Sequence, residues 1–159
     1  MKFIGIDPGL HGAIAIFNDE KVVVHNMPIR KITINKKRRS MLDMPALADL
    51  MREQDPHDQV VIEAVHAMPA QGVTSSFSFG VVFGAIQQAV ACNFYKPALL
   101  VTPRKWKGRF GLDSDKDAAR TMAGRYFPEY TSLFARKKDD GRAEAALLAL
   151  YSSEMPELE

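Results

Sequence analysis

The sequence predicts an α/β fold: a mixed five-stranded sheet, three antiparallel strands followed by parallel ones, with helices on both faces. Three observations lead there. Three β-forming runs follow one another within the first 26 residues, helical and strand patterns alternate after them, and the first and fourth strands each end in an acid, Asp7 and Glu63. Short turns between consecutive strands favour antiparallel pairing, whereas strands separated by helices return in parallel.

Residues 3–7 form a short apolar run, and Pro8-Gly9-Leu10-His11-Gly12 reads as a tight turn into a second strand at 13–17. Asn18-Asp19-Glu20 turns the chain again before a third strand at 21–26. Segment 30–41 joins Ile32-Thr33-Ile34 to Lys36-Lys37-Arg38-Arg39, the composition of an exposed basic excursion able to touch DNA. Asp43 suits the N-cap of a helix over 44–52, with Pro45 tolerated in the first turn. A buried strand is expected at 59–62, ending at Glu63, then a loop at 64–73 containing Pro69 and Gly72. The helix expected over 74–91 carries Ser76, Gly80 and Gly84 four residues apart, a small-residue stripe suited to close helix approach within one subunit or between two protomers. Residues 99–101 read as a short buried strand, 104–111 as a polar loop, and 114–126 as a helix stopped by Pro128. The last helix is expected over 141–152, with Asp140 as a candidate N-cap.

A chain of 159 residues, 47% hydrophobic and 25% charged, can bury a sufficient core as one domain, residues 1–159, without disulfides. The single Cys92 and the lack of zinc-ligand spacing point to a reducing compartment, the cytoplasm, and away from structural zinc. Asp7 falls where a secretory leader needs its apolar run, and no later segment is expected to reach membrane-spanning length, so no membrane partner is expected. The formal charge of +2 is mild, but cations cluster at 30–39, 104–109 and 136–138, which favours a polyanionic partner.

Strand-end Asp7, strand-end Glu63 and the acids opening the last helix can meet at one edge of the sheet. Magnesium takes hard oxygen ligands and retains waters, so a few carboxylates plus a substrate phosphate suffice to hold it. Two such ions, roughly 3.5–4 Å apart, serve phosphodiester hydrolysis. Asp140 lies four residues before Glu144, about one helical turn, so both acids can face one site; Asp139 is the alternative to Asp140.

Phe3-Ile4-Gly5-Ile6-Asp7-Pro8-Gly9, Val61-Ile62-Glu63 and Asp140-Gly141-Arg142-Ala143-Glu144-Ala145-Ala146 resemble, in order, the catalytic segments of the RuvC family of Holliday-junction resolvases. Met68-Pro69-Ala70-Gln71-Gly72, Val101-Thr102-Pro103-Arg104-Lys105-Trp106-Lys107 and Asp139-Asp140-Gly141-Arg142-Ala143-Glu144 resemble segments of phage-encoded relatives, for which the host cytoplasm would be the compartment. The resemblance implies a ribonuclease-H-like fold, a homodimer, magnesium or manganese, and incision of four-way or other branched DNA. It matches Asp7, Glu63 and Glu144 to family acids. The bacterial enzymes space their last two metal positions three residues apart, which here falls on Gly141, leaving Asp139 and Asp140 both open; their last acid is usually Asp rather than Glu. Lys105, Lys107 and Lys116 fall near phosphate-binding lysines of the family, with Arg104 beside them. Phe77 and Phe79 fall where relatives present an aromatic wedge to the junction, although either could pack in a core. Trp106 reads as a core anchor and His66 as an ordinary loop histidine.

Rival readings are an actin-like or sugar-kinase ATPase, a noncatalytic junction-binding module, and a same-fold nuclease for flaps, forks or RNA–DNA hybrids. The length and the absence of a second phosphate loop argue against the first, and the retained acids against the second.

Overall fold

The computed structural model describes residues 1–19, 21–66, 72–113 and 115–155. Residues 67–71 of the expected loop, Ser114 at the expected start of a helix, and the Lys116 side chain lie outside the described residues.

Strands β1 (Phe3–Ile6), β2 (Ala13–Asn18) and β3 (Lys21–Asn26) form the expected antiparallel meander. The basic excursion is more regular than its composition suggests: β4 (Ile29–Ile34) and β5 (Lys37–Leu42) pair as a separate two-stranded ribbon. Helix α1 (Met44–Arg52) starts at Asp43, whose carboxylate accepts from the Ala46 N–H, as an N-cap should. After β6 (Gln59–Glu63) comes α2 (Val73–Phe94), then β7 (Leu99–Val101), α3 (Pro103–Arg109), α4 (Lys116–Tyr126), two 3-10 segments (Pro128–Phe134 and Lys137–Asp139) and α5 (Asp140–Ser153). The main sheet has the order β3-β2-β1-β6-β7, with β6 and β7 added in parallel.

Three expectations need correction. Residues 104–109 of the expected loop are helical and only 110–111 form a turn: Thr102-Pro103 ends the strand and also opens α3, because proline's fixed φ suits the first helical turn. The strand at 99–101 is not fully buried, since β7 is the sheet edge and Leu100 is 49% exposed. By length and composition alone α2 does reach membrane-spanning size, with 22 residues and an 18-residue stretch of mean hydropathy 1.3. It lies along the sheet, burying Val82, Ile86, Val90 and Phe94.

The period-2 alternation of the strands sorts the core and aims the acids. Ile4, Ile6, Val60 and Ile62 point to the α1–α2 face, where they join Leu47, Met51, Ile86 and Val90. Gly5 and Val61 point to the opposite face, occupied by α5, α4 and α3. Asp7 and Glu63 keep that second parity. Each stands at or beyond the end of a parallel pair whose last partners are Ile6 and Ile62, so both carboxylates emerge at the same sheet edge on the α5 side. A Cβ on Gly5 would run into the Ala145 carbonyl and the Ala149 N–H of α5, so the helix backbone lies directly on β1.

Candidate metal centre

Because α5 is seated on Gly5, Glu144 arrives at the ends of β1 and β6. One oxygen from each of Asp7, Glu63 and Glu144 lies within 4.8 Å of the others. These three come from a strand-end turn, a second strand and a helix, so the cluster exists only in the folded chain.

The cluster is held from several sides. Trp106 is buried as expected and donates from Nε1 to Glu63 Oε1 at 3.0 Å. Lys107 Nζ sits 2.7 Å from Glu144 Oε1 and 5.2 Å from the centre of the Trp106 ring. Desolvation by burial, with further repulsion from Glu144, Glu63 and Asp140, pushes the Asp7 carboxyl up to about 8; Lys107 opposes this. Burial also raises Glu63, against the Trp106 hydrogen bond, which favours its ionised form.

The two candidates for a fourth acid separate cleanly. Asp139 is buried and turned away: its carboxylate receives the Arg136 backbone N–H at 2.9 Å and Arg136 Nη2 at 2.9 Å, with Arg142 Nε at 3.9 Å. The Arg136 pairing holds its carboxyl below the usual value. Asp140 lines the same cleft as Asp7 and Glu144. Gly141 could not carry an acid here, since even a Cβ would stand 2.9 Å from Asp7 Oδ2 and 2.7 Å from the His11 carbonyl oxygen. The close approach of α5 to the first turn therefore leaves no room for a side chain at Gly141, whereas Asp140 borders the cleft.

The cleft over these acids encloses about 500 Å³, with the β1–β2 turn on one side and Ser75, Ser78 and Phe79 of α2 on the other. Phe79 thus forms a wall, stacked on Phe83, whereas Phe77 is 74% exposed. Arg104 and Lys105 are exposed on α3, while Lys107 is drawn into the cluster. His66 is exposed beyond β6. Sequence reasoning missed Ser75, Ser78 and His11 as lining groups and the Trp106–Glu63 bond; His11 follows Asp7 closely in the chain, and the others have no acid near them in sequence.

Neither a protein-family model nor a curated protein matches the sequence. Solved structures do match. Thermus thermophilus RuvC aligns over 96% of this chain and 93% of its own, with a TM-score of 0.57 at 14% identity. T. thermophilus RuvC in complex with Holliday junction substrate aligns over 96% and 92%, with a TM-score of 0.58 at 14% identity. The fold is that of RuvC. In RuvC-fold terms the meander, the two parallel strands and the flanking helices are all present, and the acid cluster stands at the carboxyl ends of β1 and β6.

Proposed function

We propose that this chain is a metal-dependent, structure-selective endodeoxyribonuclease that cuts four-way and other branched DNA in the cytoplasm as a homodimer, with residues 1–159 acting as one nuclease domain. The observation that carries this reading is the convergence of Asp7, Glu63 and Glu144 within 4.8 Å on a RuvC fold.

The donor set fits a hard divalent cation: it offers carboxylate oxygens, burial and then the repulsion of the neighbouring acids raise Asp7, and Lys107 offsets this in part. Asp7, Glu63, Asp140 and Glu144 would hold magnesium or manganese, two ions per site. The ions would supply an activated water and stabilisation of the departing oxygen of a phosphodiester. The chain's own groups position what surrounds them. Trp106 fixes the Glu63 carboxylate. Lys107 can exchange its bond to Glu144 for a phosphate oxygen, and Arg104, Lys105 and Lys116 serve flanking phosphates. Exposed Phe77 stands ready to stack on an unpaired base at the branch point, a contact of about 1–3 kcal/mol.

The dimer reading rests on α2. It has no charged residue, and Val73, Phe77 and Val81 are 86%, 74% and 43% exposed. Among the described residues nothing lies within 4 Å of a Cβ built at Gly80 or Gly84, which leaves room for a second helix at those two places. A second copy would cover it, and two-fold symmetry would supply the second incision that a four-way junction requires.

The test is cleavage of matched four-way, three-way, flap, RNA–DNA hybrid and linear substrates with and without magnesium. Preferential cutting of four-way DNA, lost by about 10³-fold in Asp7→Asn with DNA binding retained, is expected. Calcium should support binding without efficient cutting. Junction binding with no cutting under any divalent metal would favour the noncatalytic module, and preference for hybrids or flaps would reassign the substrate. On a cruciform plasmid, paired incision gives linear product directly; a monomer giving relaxed circles alone would remove the dimer.

A further inference from the structure

The acid cleft does not use the β4–β5 ribbon, which carries Arg30, Lys31, Lys36, Lys37, Arg38 and Arg39 and no acid. These six charges exceed the total of +2 for the whole chain, so the rest of the chain is net −4. The ribbon is therefore the strongest concentration of positive charge on an otherwise acidic molecule. All six cations are exposed, and neither strand joins the main sheet.

Its register distributes the charge over both faces. Lys37 lies opposite Ile34 and Arg39 opposite Ile32 on one face, and Arg38 lies opposite Thr33 on the other. Blunting of the ribbon's open edges would account for one or two cations, not for six without a counter-charge. The turn gives a second indication. Asn35 and Lys36 both have positive φ, 50° and 60°, the geometry of a two-residue hairpin turn whose second place favours glycine. A lysine there costs about 1 kcal/mol or more in backbone strain, yet it puts a cation at the outermost point of the arm.

The ribbon is also continuous with the cleft. A groove of about 630 Å³ runs from Asp140, His11 and Gly12 past Arg136, Lys138 and Arg142 to Ile29 at the ribbon's root. It shares Asp140 and the β1–β2 turn with the acid cleft. Six-residue strands give the arm a reach of about 20 Å beyond that groove. A two-stranded ribbon fits the major groove of a duplex, where phosphates line both walls.

From this placement we propose that the β4–β5 ribbon is a duplex-gripping arm that engages the phosphates of the DNA leading away from the acid cluster. The inference rests on the nucleic-acid reading above. To test it, binding of four-way DNA with long arms is measured in calcium over a range of salt, for the wild-type chain and for a variant with Lys36→Gln, Lys37→Gln, Arg38→Gln and Arg39→Gln. The expected result is a salt slope shallower by about 3–4 and affinity lowered about 10²-fold near 0.15 M salt. Equal affinity and slope in the variant would overturn the arm while leaving the nuclease reading intact; failure of the wild-type chain to bind DNA would overturn both. Loss of binding to phosphatidylserine vesicles without loss of DNA binding would assign the arm to a membrane surface and overturn the proposal. As a second measurement, Arg38→Cys in a Cys92→Ser background carries a tethered iron chelate. Backbone scission along a duplex arm supports the proposal, and its absence on bound DNA overturns it.

Discussion

Helices α5 and α2 flank the same sheet in opposite ways. Nine of the fourteen residues of α5 are buried, against four of the twenty-two of α2, although both are apolar around most of their circumference. Alanines let α5 lie on the β1 backbone at Gly5, and Gln59 Nε2 ties its far end through Ser152 Oγ at 2.9 Å. Its position is therefore determined at both ends, which is what a carboxylate cluster needs. The other helix packs on the sheet and α1 through Val82, Ile86, Val90 and Phe94, with Phe83, Ala85 and Ala89 half-buried beside them, and exposes Val73, Phe77 and Val81. A helix apolar all round calls for a second covering layer. One helix positions a member of the acid cluster, and the other leaves several apolar side chains exposed among the described residues.

The contrast breaks most severely at Gly5. Gly5→Val should destabilise the chain by about 3 kcal/mol or more, because the colliding atoms are α5 backbone rather than a movable side chain. Loss of a cooperative thermal transition would show it, and a near-native Tm would mean that α5 is not seated as described.

Removing one support of the cluster has a smaller effect. Trp106→Phe keeps most of the packing but leaves buried Glu63 without its donor. A stability loss of about 1–3 kcal/mol is expected, with a 10–100-fold fall in magnesium affinity, roughly that of losing a ligand's supporting partner. Calorimetric titration of metal reads the second effect apart from the first.

Neighbouring acids at the start of α5 should separate. Asp139→Asn weakens the hold of exposed Arg136 on a buried carboxylate and should lower stability by about 1 kcal/mol while changing metal affinity little. Asp140→Asn should weaken metal binding and leave Tm nearly unchanged or raised. The reverse pattern would move the ligand to Asp139.

Asp7 and Asp139 respond to pH with opposite sign. Folding raises Asp7 from 3.8 to about 8, so the folded chain retains a proton that the unfolded chain releases, and stability in chelator falls as pH rises across that interval. Asp139 is lowered from 3.8, so its contribution is present above that value and lost as pH falls through its folded pKa. Unfolding midpoints in chelator should therefore fall between about pH 5 and 8, and Asp7→Asn should flatten the slope.

The mildest change sharpens the contrast most. At Gly80 a methyl meets open space, so Gly80→Ala should stabilise the isolated protomer by about 0.5–1 kcal/mol through helix propensity. If two copies approach closely there, the same change should weaken self-association in sedimentation. Stabilisation without any change in mass would remove the stripe from the interface.

Local signals were sufficient for much of this protein. The turn after Asp7, the short runs of β-formers, Asp43 before α1 and Pro128 after α4 each act over a few residues, so the antiparallel meander followed by parallel strands, the course of most helices and the three converging acids were legible in the sequence. The choice between Asp139 and Asp140 was not, because it depends on Arg136 closing on one carboxylate and on Gly141 packing against Asp7. Helix α3 was misread because Thr102-Pro103 is equally a strand terminator and a helix start, and the strand at 29–34 was hidden because its partner lies across a turn with an unusual lysine. The sequence by itself determined the alternation that sends Asp7 and Glu63 to one face, since side-chain period is a property of each strand alone. Only the tertiary structure decided which helix covers that face, which of Asp139 and Asp140 borders the cleft and which apolar surface of the described residues is exposed, because those depend on contacts between segments distant in the chain.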